Sequence, residues 1–502
     1  MVILFAQTPE WIWSNHGGGT SLDSGIEIVV DTNNNSYITG SFQDDATFGT
    51  TVLTSDGSSD IFIAKADANG DWLWANRAGG TSSDHGSSIA VDVAGNVYVT
   101  GDFDNTADFG PYDLSSSGIF VTKLDTDGNW LWAERATANQ SVGIGLDSNS
   151  NIYLTGSIDW SAYFGDIHLV STGNDDIFVA KMSSIGAWLW AINGGGEEDD
   201  YCHDIAVDTG GTSYITGYFK YAAGFGTHSL TSYGHRDVFV ATISSIGTWT
   251  MATNAGGTSW DAGQGICFDN SGNIYCTGFF YGEATFGTTN ITGYGSNDIF
   301  ISKLDAGGNW LWTNYAGGAW TDRGWDIELD SNLNPLITGE FSYNAAFGTI
   351  NVTSAGTSDV YIARLDTSGN WDWVHTAGSS SSDYSYGIDI DTSDDAYITG
   401  KFQNTITFQD TMSSYGSSDV FVAKLTASGS APPAAPAGVT VNIVDTNLTI
   451  AWNAVTGATL YNVYSDTDPY GTFSTLEWSG VNTSWNEVVT FEKKFYLVTA
   501  EN

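Results

Sequence analysis

Short runs of alternating apolar and polar residues, cut by Gly, Asn and Asp turns, fill most of this chain, and their period is that of strands. Ser88 to Asp92 and Asn96 to Phe103 are two such runs, rich in β-branched and aromatic residues and joined by a Gly-Asn turn. Ile119 to Asp125 and Trp130 to Glu134 predict a second hairpin across Thr126-Asp127-Gly128-Asn129. The segments between hairpins are long and carry Gly, Ser and Thr, so surface loops are expected there. No segment has the 3.6-residue period of an amphipathic helix. The pattern predicts a module of four strands, here called A to D in chain order.

The module recurs. A Thr-Gly pair ends strand B at Gly40, Gly101, Gly156, Gly217, Gly278, Gly339 and Gly400; five of the six spacings are 61 residues and one is 55. In step with it come a Trp-x-Trp from Trp11, Trp72, Trp130, Trp188, Trp249, Trp310 and Trp371, and an Asp-Ile/Val-aromatic element at the start of strand C. A Phe-Gly pair follows each Thr-Gly, weakening only at Phe408-Gln409. Four short antiparallel strands repeated seven times predict an all-β fold, a seven-bladed β-propeller. The chain opens on a D strand, Trp11 to Asn15, and the array ends on a C strand, Asp419 to Leu425. The N-terminal strand is therefore expected to complete the last blade and remove the open edges. The paired Trp residues are expected between blades rather than as a glycan-stacking surface.

Charge narrows the partners. With 58 acidic and 14 basic residues the net charge is -44, a field that repels nucleic acid and anionic membranes. No stretch is long and apolar enough to span a membrane. Met1-Val2-Ile3-Leu4-Phe5-Ala6-Gln7 resembles the end of a secretory signal, with residues 1–8 as its remnant and the mature chain starting near Gln7. The expected product is a secreted or cell-surface monomer that binds an extracellular protein or glycan. Cys202 stands alone, while Cys267 and Cys276 lie on adjacent strands, as two buried thiols or a cross-strand disulfide.

Residues 9–427 are read as the propeller, 428–438 as a Pro/Ala/Ser linker, and 439–502 as a small β-sandwich. In the last part Leu448 to Trp452, Leu460 to Tyr464 and Phe495 to Ala500 alternate as strands. These residues resemble a fibronectin type III domain, with Trp452 in the core-Trp position and Tyr496 in the late-Tyr position. The resemblance implies a final strand that this sequence does not reach, hence a shortened variant or an incomplete frame. Gly95-Asn96-Val97-Tyr98-Val99-Thr100-Gly101-Asp102-Phe103 and Asp176-Ile177-Phe178-Val179-Ala180-Lys181 resemble the bacterial SBBP-type β-propeller repeat. That resemblance implies a secreted or surface-attached protein and brings no shared catalytic activity.

Three constellations carry candidate chemistry. Asp23, Asp84, Asp200, Asp261, Asp322 and Asp383 each stand 17 residues before the repeat glycine, with Asn139 in the short repeat. A ring of carboxylates suits calcium, whereas a repeated Asp also caps a repeated turn. Lys65, Lys123, Lys181, Lys303, Arg364 and Lys424 share one register on strand C, with Thr242 as the exception; ion pairs to a repeated carboxylate are expected. Glu197-Glu198-Asp199-Asp200-Tyr201-Cys202-His203-Asp204 fills one loop with types that serve metals or catalysis. HExxH, CxxC, GxSxG and a phosphate-binding glycine loop are all missing. The reading is a non-enzymatic binding or adhesion scaffold, against an extracellular polysaccharide-active or other hydrolytic propeller.

Overall fold

The computed structural model describes residues 9–426, 440–444, 447–453, 460–466, 475–488 and 495–501. The expectations for Met1 to Gln7 and for the linker 428–438 lie outside the described residues, as does the Tyr496 side chain. Among the described residues every regular element is a strand. They divide into two units, Trp11–Leu425 and the described residues from Thr426 onward.

In the larger unit the strands of each repeat pair antiparallel in the order A-B-C-D. The first repeat uses Ser24–Val30, Ser36–Phe42, Asp60–Ala66 and Trp72–Ala78. Strand C is buried along its whole length, which explains its unbroken apolar run. Strand A bulges between Gly25 and Glu27, opposite the Thr-Gly pair, and a Cβ on Gly40 would overlap the Ser24 carbonyl. The landmark glycine is thus a close-approach position. The last repeat has Tyr384–Ile390, Asp395–Phe402 and Asp419–Thr426; its fourth strand is Trp11–Gly19, with Trp11 opposite Leu425 and Gly17 opposite Val420.

Neighbouring repeats join through two devices. In five copies the second Trp of the Trp-x-Trp (Trp13, Trp74, Trp132, Trp190 and Trp312) lies on the C–D turn glycine of the next repeat, and Met251 takes that place against Gly308. Trp74 covers Gly128 and donates its indole N–H to Thr126 O at 3.2 Å; Trp190 covers Gly247 and donates to Ser245 O at 3.1 Å. Trp13 covers Gly70 and donates to Ala68 O at 3.0 Å, so the last repeat meets the first by the same joint. Tyr397, Val420 and Val422 share one apolar cluster with Ile28, Phe42 and Phe62 across that seam.

The second device corrects the sequence reading. The Gly/Ser/Thr-rich segments after strand B form hairpins rather than loops, such as Asp45–Phe48 with Thr51–Thr54. The Phe-Gly pair makes the turn: Phe48 packs on Phe62 and Trp72, and Gly49 turns with φ 61°. The Gly-Gly end of strand D then pairs with the next hairpin, Gly18 opposite Thr47 and Gly195 opposite Gly224. Composition pointed to loops because these strands are short and half exposed, and pairing rather than propensity holds them.

In the C-terminal unit Thr440–Val444, Asn447–Ala451 and Ser484–Val488 form one sheet. Leu460–Asp466, Thr475–Gly480 and Phe495–Glu501 form another. Leu448, Ile450 and Trp452 from the first share a buried cluster with Tyr461 and Val463 from the second. Trp452 therefore occupies a core position.

Candidate functional site

The six loop aspartates do not gather into one site. Each is buried at its own junction between repeats and spends both carboxylate oxygens on backbone N–H groups. Asp261 accepts from Gly257 at 2.6 Å and Tyr281 at 3.0 Å; Asp322 accepts from Gly318 at 2.7 Å and Ser342 at 2.8 Å. Asp23, Asp84, Asp200 and Asp383 repeat the pattern. Among the described residues no three His, Cys, Asp or Glu side chains are placed to hold a metal ion. Each carboxylate caps the backbone amides of its own junction.

The strand-C cations form ion pairs, as their register predicts. Lys181 reaches Asp147 at 3.3 Å, Lys424 reaches Asp391 at 3.0 Å and Arg364 reaches Asp330 at 3.4 Å. The lysines also lie over the strand-B tyrosines, Lys181 at 4.6 Å from the Tyr153 ring centre. Lys65 instead donates to Thr126 of the next repeat, and Thr242 bonds Thr250.

The Glu197–Asp204 cluster disperses because successive strand residues face opposite ways. Lys220 pairs with Asp199, and the Tyr201 hydroxyl donates to Asp175. The Cys202 thiol donates to the Thr216 carbonyl in the core, and burial pushes it up to about 12. His203 faces the other way and bonds the Gly263 carbonyl at 2.7 Å; burial lowers its pKa. Cys202 and His203 therefore make no nucleophile–base pair. The three cysteines are free and buried, so Cys267 and Cys276 are thiols.

A site that sequence reasoning missed lies where the seven A strands converge. One cavity of about 680 Å³ is lined from all seven, by residues that include Ile26, Ser87, Val142, His203, Gln264, Trp325 and Tyr386. Glu27, Asp204, Asp326, Glu328 and Asp389 project from the same strands. Burial, then their mutual repulsion, pushes Glu27, Asp326 and Glu328 well above the usual carboxylate range. Burial raises Asp204 and Asp389 to about 6 against the amides they accept from. These carboxylates also tie neighbouring A strands: Asp204 accepts from Ile266 N at 2.8 Å, Asp326 from Ile388 N at 2.8 Å and Asp389 from Val30 N at 2.6 Å.

The rim of this cavity is where the repeats stop matching. The residue after the Thr-Gly pair is Ser41, Asp102, Ser157, Tyr218, Phe279, Glu340 and Lys401 in turn. Cations rest on aromatic faces there: Arg323 lies 5.3 Å from Phe279 and 5.7 Å from Trp325, and Lys401 lies 5.1 Å from Tyr384. Arg236 lies 4.4 Å from Tyr218 and 4.8 Å from Trp260. Arg323 also pairs with Glu340 at 3.5 Å, and the Trp325 indole donates to the same carboxylate. The signal for this site was in the sequence as variation at one repeat position, legible only once strand A is known to be innermost.

Comparison with known proteins agrees with the repeat architecture. Residues 73–103 match the family model described as SBBP, a beta-propeller repeat. An uncharacterized WD repeat-containing protein of Acanthamoeba polyphaga mimivirus is 25% identical over 483 residues, covering 79% of this chain and 31% of its own. The regulatory protein FlaEY of Caulobacter vibrioides is 25% identical over 353 residues, covering 63% of this chain and 36% of its own. The chain thus spans about a third of the length of these relatives. Among solved structures, the Dos1 propeller overlays with a TM-score of 0.40 at 10% identity, covering 83% of this chain and 95% of that one. The C-terminal WD40 domain of Sif2 overlays with 0.39 at 8%, covering 84% and 99%. The chain is an all-β, β-propeller repeat protein.

Proposed function

We propose that the chain is a non-enzymatic binding scaffold: a closed seven-bladed β-propeller that takes its ligand at the rim of the central cavity, followed by a fibronectin-like β-sandwich. The observation that carries this reading is the coincidence of two features. The inner strands of every repeat meet at one cavity, and the side chains at its rim are the ones that depart from the repeat. Positions that build blades are held to the pattern by packing, whereas rim positions are free to vary with a ligand. Aromatic faces, arginine and lysine heads and amides at the rim suit a folded protein segment or a glycan rather than an apolar small molecule. The WD repeat-containing relative favours a protein partner.

A secreted or cell-surface location belongs to the same proposal and rests on the Met1–Gln7 segment and the SBBP-type resemblance. The absence of a nucleophile–base pair at Cys202 and His203 favours binding over hydrolysis. The test is a peptide and glycan array probed with purified protein and with a Trp325→Ala, Tyr386→Ala variant of unchanged melting temperature. Retained binding in the variant rejects the rim as the site. Turnover of an arrayed ligand rejects the scaffold.

A further inference from the structure

Each loop aspartate has a second carboxylate beside it, the aspartate that opens strand C of the preceding repeat. The pairs are Asp419 with Asp23, Asp60 with Asp84, Asp176 with Asp200, Asp237 with Asp261, Asp298 with Asp322, and Asp359 with Asp383. All twelve side chains are buried. The glycine at the end of strand D shows how close they come: Asp237 Oδ1 and Asp261 Oδ2 both lie 2.9 Å from the point where a Cβ on Gly256 would sit. Gly18, Gly195 and Gly317 report the same convergence, within 3.0 Å, for their own pairs.

Two buried anions that converge on one glycine cannot both stay uncompensated. The chain solves the problem visibly at two of its seven junctions. At one, Arg77 places Nη1 2.6 Å from Asp60. At the short repeat both acids are gone together, Gly118 and Asn139 standing in their places. The other five junctions have no contact from a lysine or arginine side chain among the described residues. The strand-D position of Arg77 is taken there by neutral groups such as Asn193, Asn254 and Tyr315, or by His16, whose pKa burial lowers. In four of these five pairs one oxygen has no hydrogen-bond partner among the described residues: Oδ1 of Asp176, Asp237, Asp298 and Asp419. The remaining three oxygens of each pair accept backbone N–H groups; at Asp237 the Tyr233 amide binds Oδ2 at 2.8 Å.

We propose that each of these four junctions is a one-proton site, in which the orphaned Oδ1 of the strand-C aspartate carries a proton and donates it to the loop carboxylate. A proton fits better than a metal ion. The amides on the other three oxygens turn their positive ends into the site, and two carboxyl groups alone offer a cation too few ligands. Burial, opposed by the amides, raises both members, Asp237 to about 6 and Asp261 to about 7, and the bare Oδ1 of Asp237 is what assigns the proton to it.

The Asp237–Asp261 pair is the cleanest to test. Asn254 reaches it from strand D, and the neighbouring Arg236 turns its guanidinium to Tyr218 and Trp260 instead. Elsewhere other charges intrude: Asp175 and Asp199 at Asp176–Asp200, Glu340 at Asp298–Asp322, and Asp44 at Asp23. A carboxyl raised on folding takes up a proton as the chain folds. Its stabilisation is complete below the unfolded value near 4 and is lost as pH rises through the folded value of about 6 to 7.

Urea unfolding of the wild type and of Asp237→Asn in EDTA, from pH 4.5 to 8, reads this out. The carboxamide keeps the shape and supplies its own N–H. The unfolding constant of the wild type should climb with pH about tenfold per unit more steeply than that of the variant between pH 4.5 and 6. Equal slopes overturn the proposal. So does a gain in wild-type stability at pH 8 from calcium over matched sodium that Asp237→Asn lacks, which would assign a cation. Infrared spectroscopy gives an independent reading on the unaltered protein. Between pH 5.5 and 8 the carboxylic-acid C=O band of the wild type should lose intensity that Asp237→Asn lacks from the start, over a background from the central carboxyls; identical difference spectra for the two proteins also overturn the proposal.

Discussion

If the N-terminal strand closes the ring, then a single residue in it should matter as much as its counterpart in the middle of the array. Trp13 and Trp74 supply that comparison. Trp74 belongs to an internal joint and Trp13 to the seam between the last repeat and the first, and both cover a turn glycine and donate an indole N–H to a turn carbonyl. Truncating a half-buried Trp to Ala costs about 3 kcal/mol, the low end of the range for core Trp, and both rings are half-buried. The lost hydrogen bond adds about 1 kcal/mol. A total of about 4 kcal/mol raises the unfolding constant by roughly a thousandfold. Urea unfolding followed by tryptophan fluorescence, with circular dichroism as a second probe, should give Trp13→Ala and Trp74→Ala the same loss within about 1 kcal/mol. If Trp13→Ala leaves the midpoint unchanged while Trp74→Ala lowers it, the terminal strand frays and the ring is not closed through it.

Further outcomes follow from the same contacts. Gly70→Ala should destabilise strongly, because the backbone is left-handed at φ 85° and the new methyl would meet the Trp13 ring at 2.6 Å; combining it with Trp13→Ala should cost less than the sum of the two, and strict additivity would refute the contact. Lys181→Met strands the buried Asp147 carboxylate and should cost about 3 kcal/mol by urea unfolding; adding Asp147→Asn should recover part of it, and no recovery would remove the ion pair from the account. A thiol reagent at pH 8 should label none of Cys202, Cys267 and Cys276 in the native protein and all three in denaturant, since burial pushes each thiol above its ordinary range; rapid native labelling would contradict their packing.

Much of the scaffold is legible in the sequence alone. The Thr-Gly, Trp-x-Trp and Phe-Gly landmarks mark the strands because each answers to a local geometric demand: a bulge that admits no Cβ at Gly40, an indole laid on Gly128, a turn at Gly49. Such demands recur with every repeat, so they print through as a period. The strand-C lysines were legible for the same reason, since their carboxylate partners lie in the same repeat. The hairpins after strand B were not, because they are docked on the neighbouring repeat's strand D, a contact that leaves only a weak mark on composition.

The remaining decisions belong to the tertiary structure. The spacing of the loop aspartates admits both turn caps and a cation ring, and it leaves open which groups their oxygens face, since identical side chains at identical spacing do not specify their partners. Pairing Asp237 with Asp261, and leaving one oxygen bare, depends on contact between consecutive repeats. So does the cavity, whose lining comes from seven strands that are distant in sequence. Sequence determined the unit because a unit folds on neighbours within some sixty residues. The site arises where the units meet, and only their assembly brings those residues together.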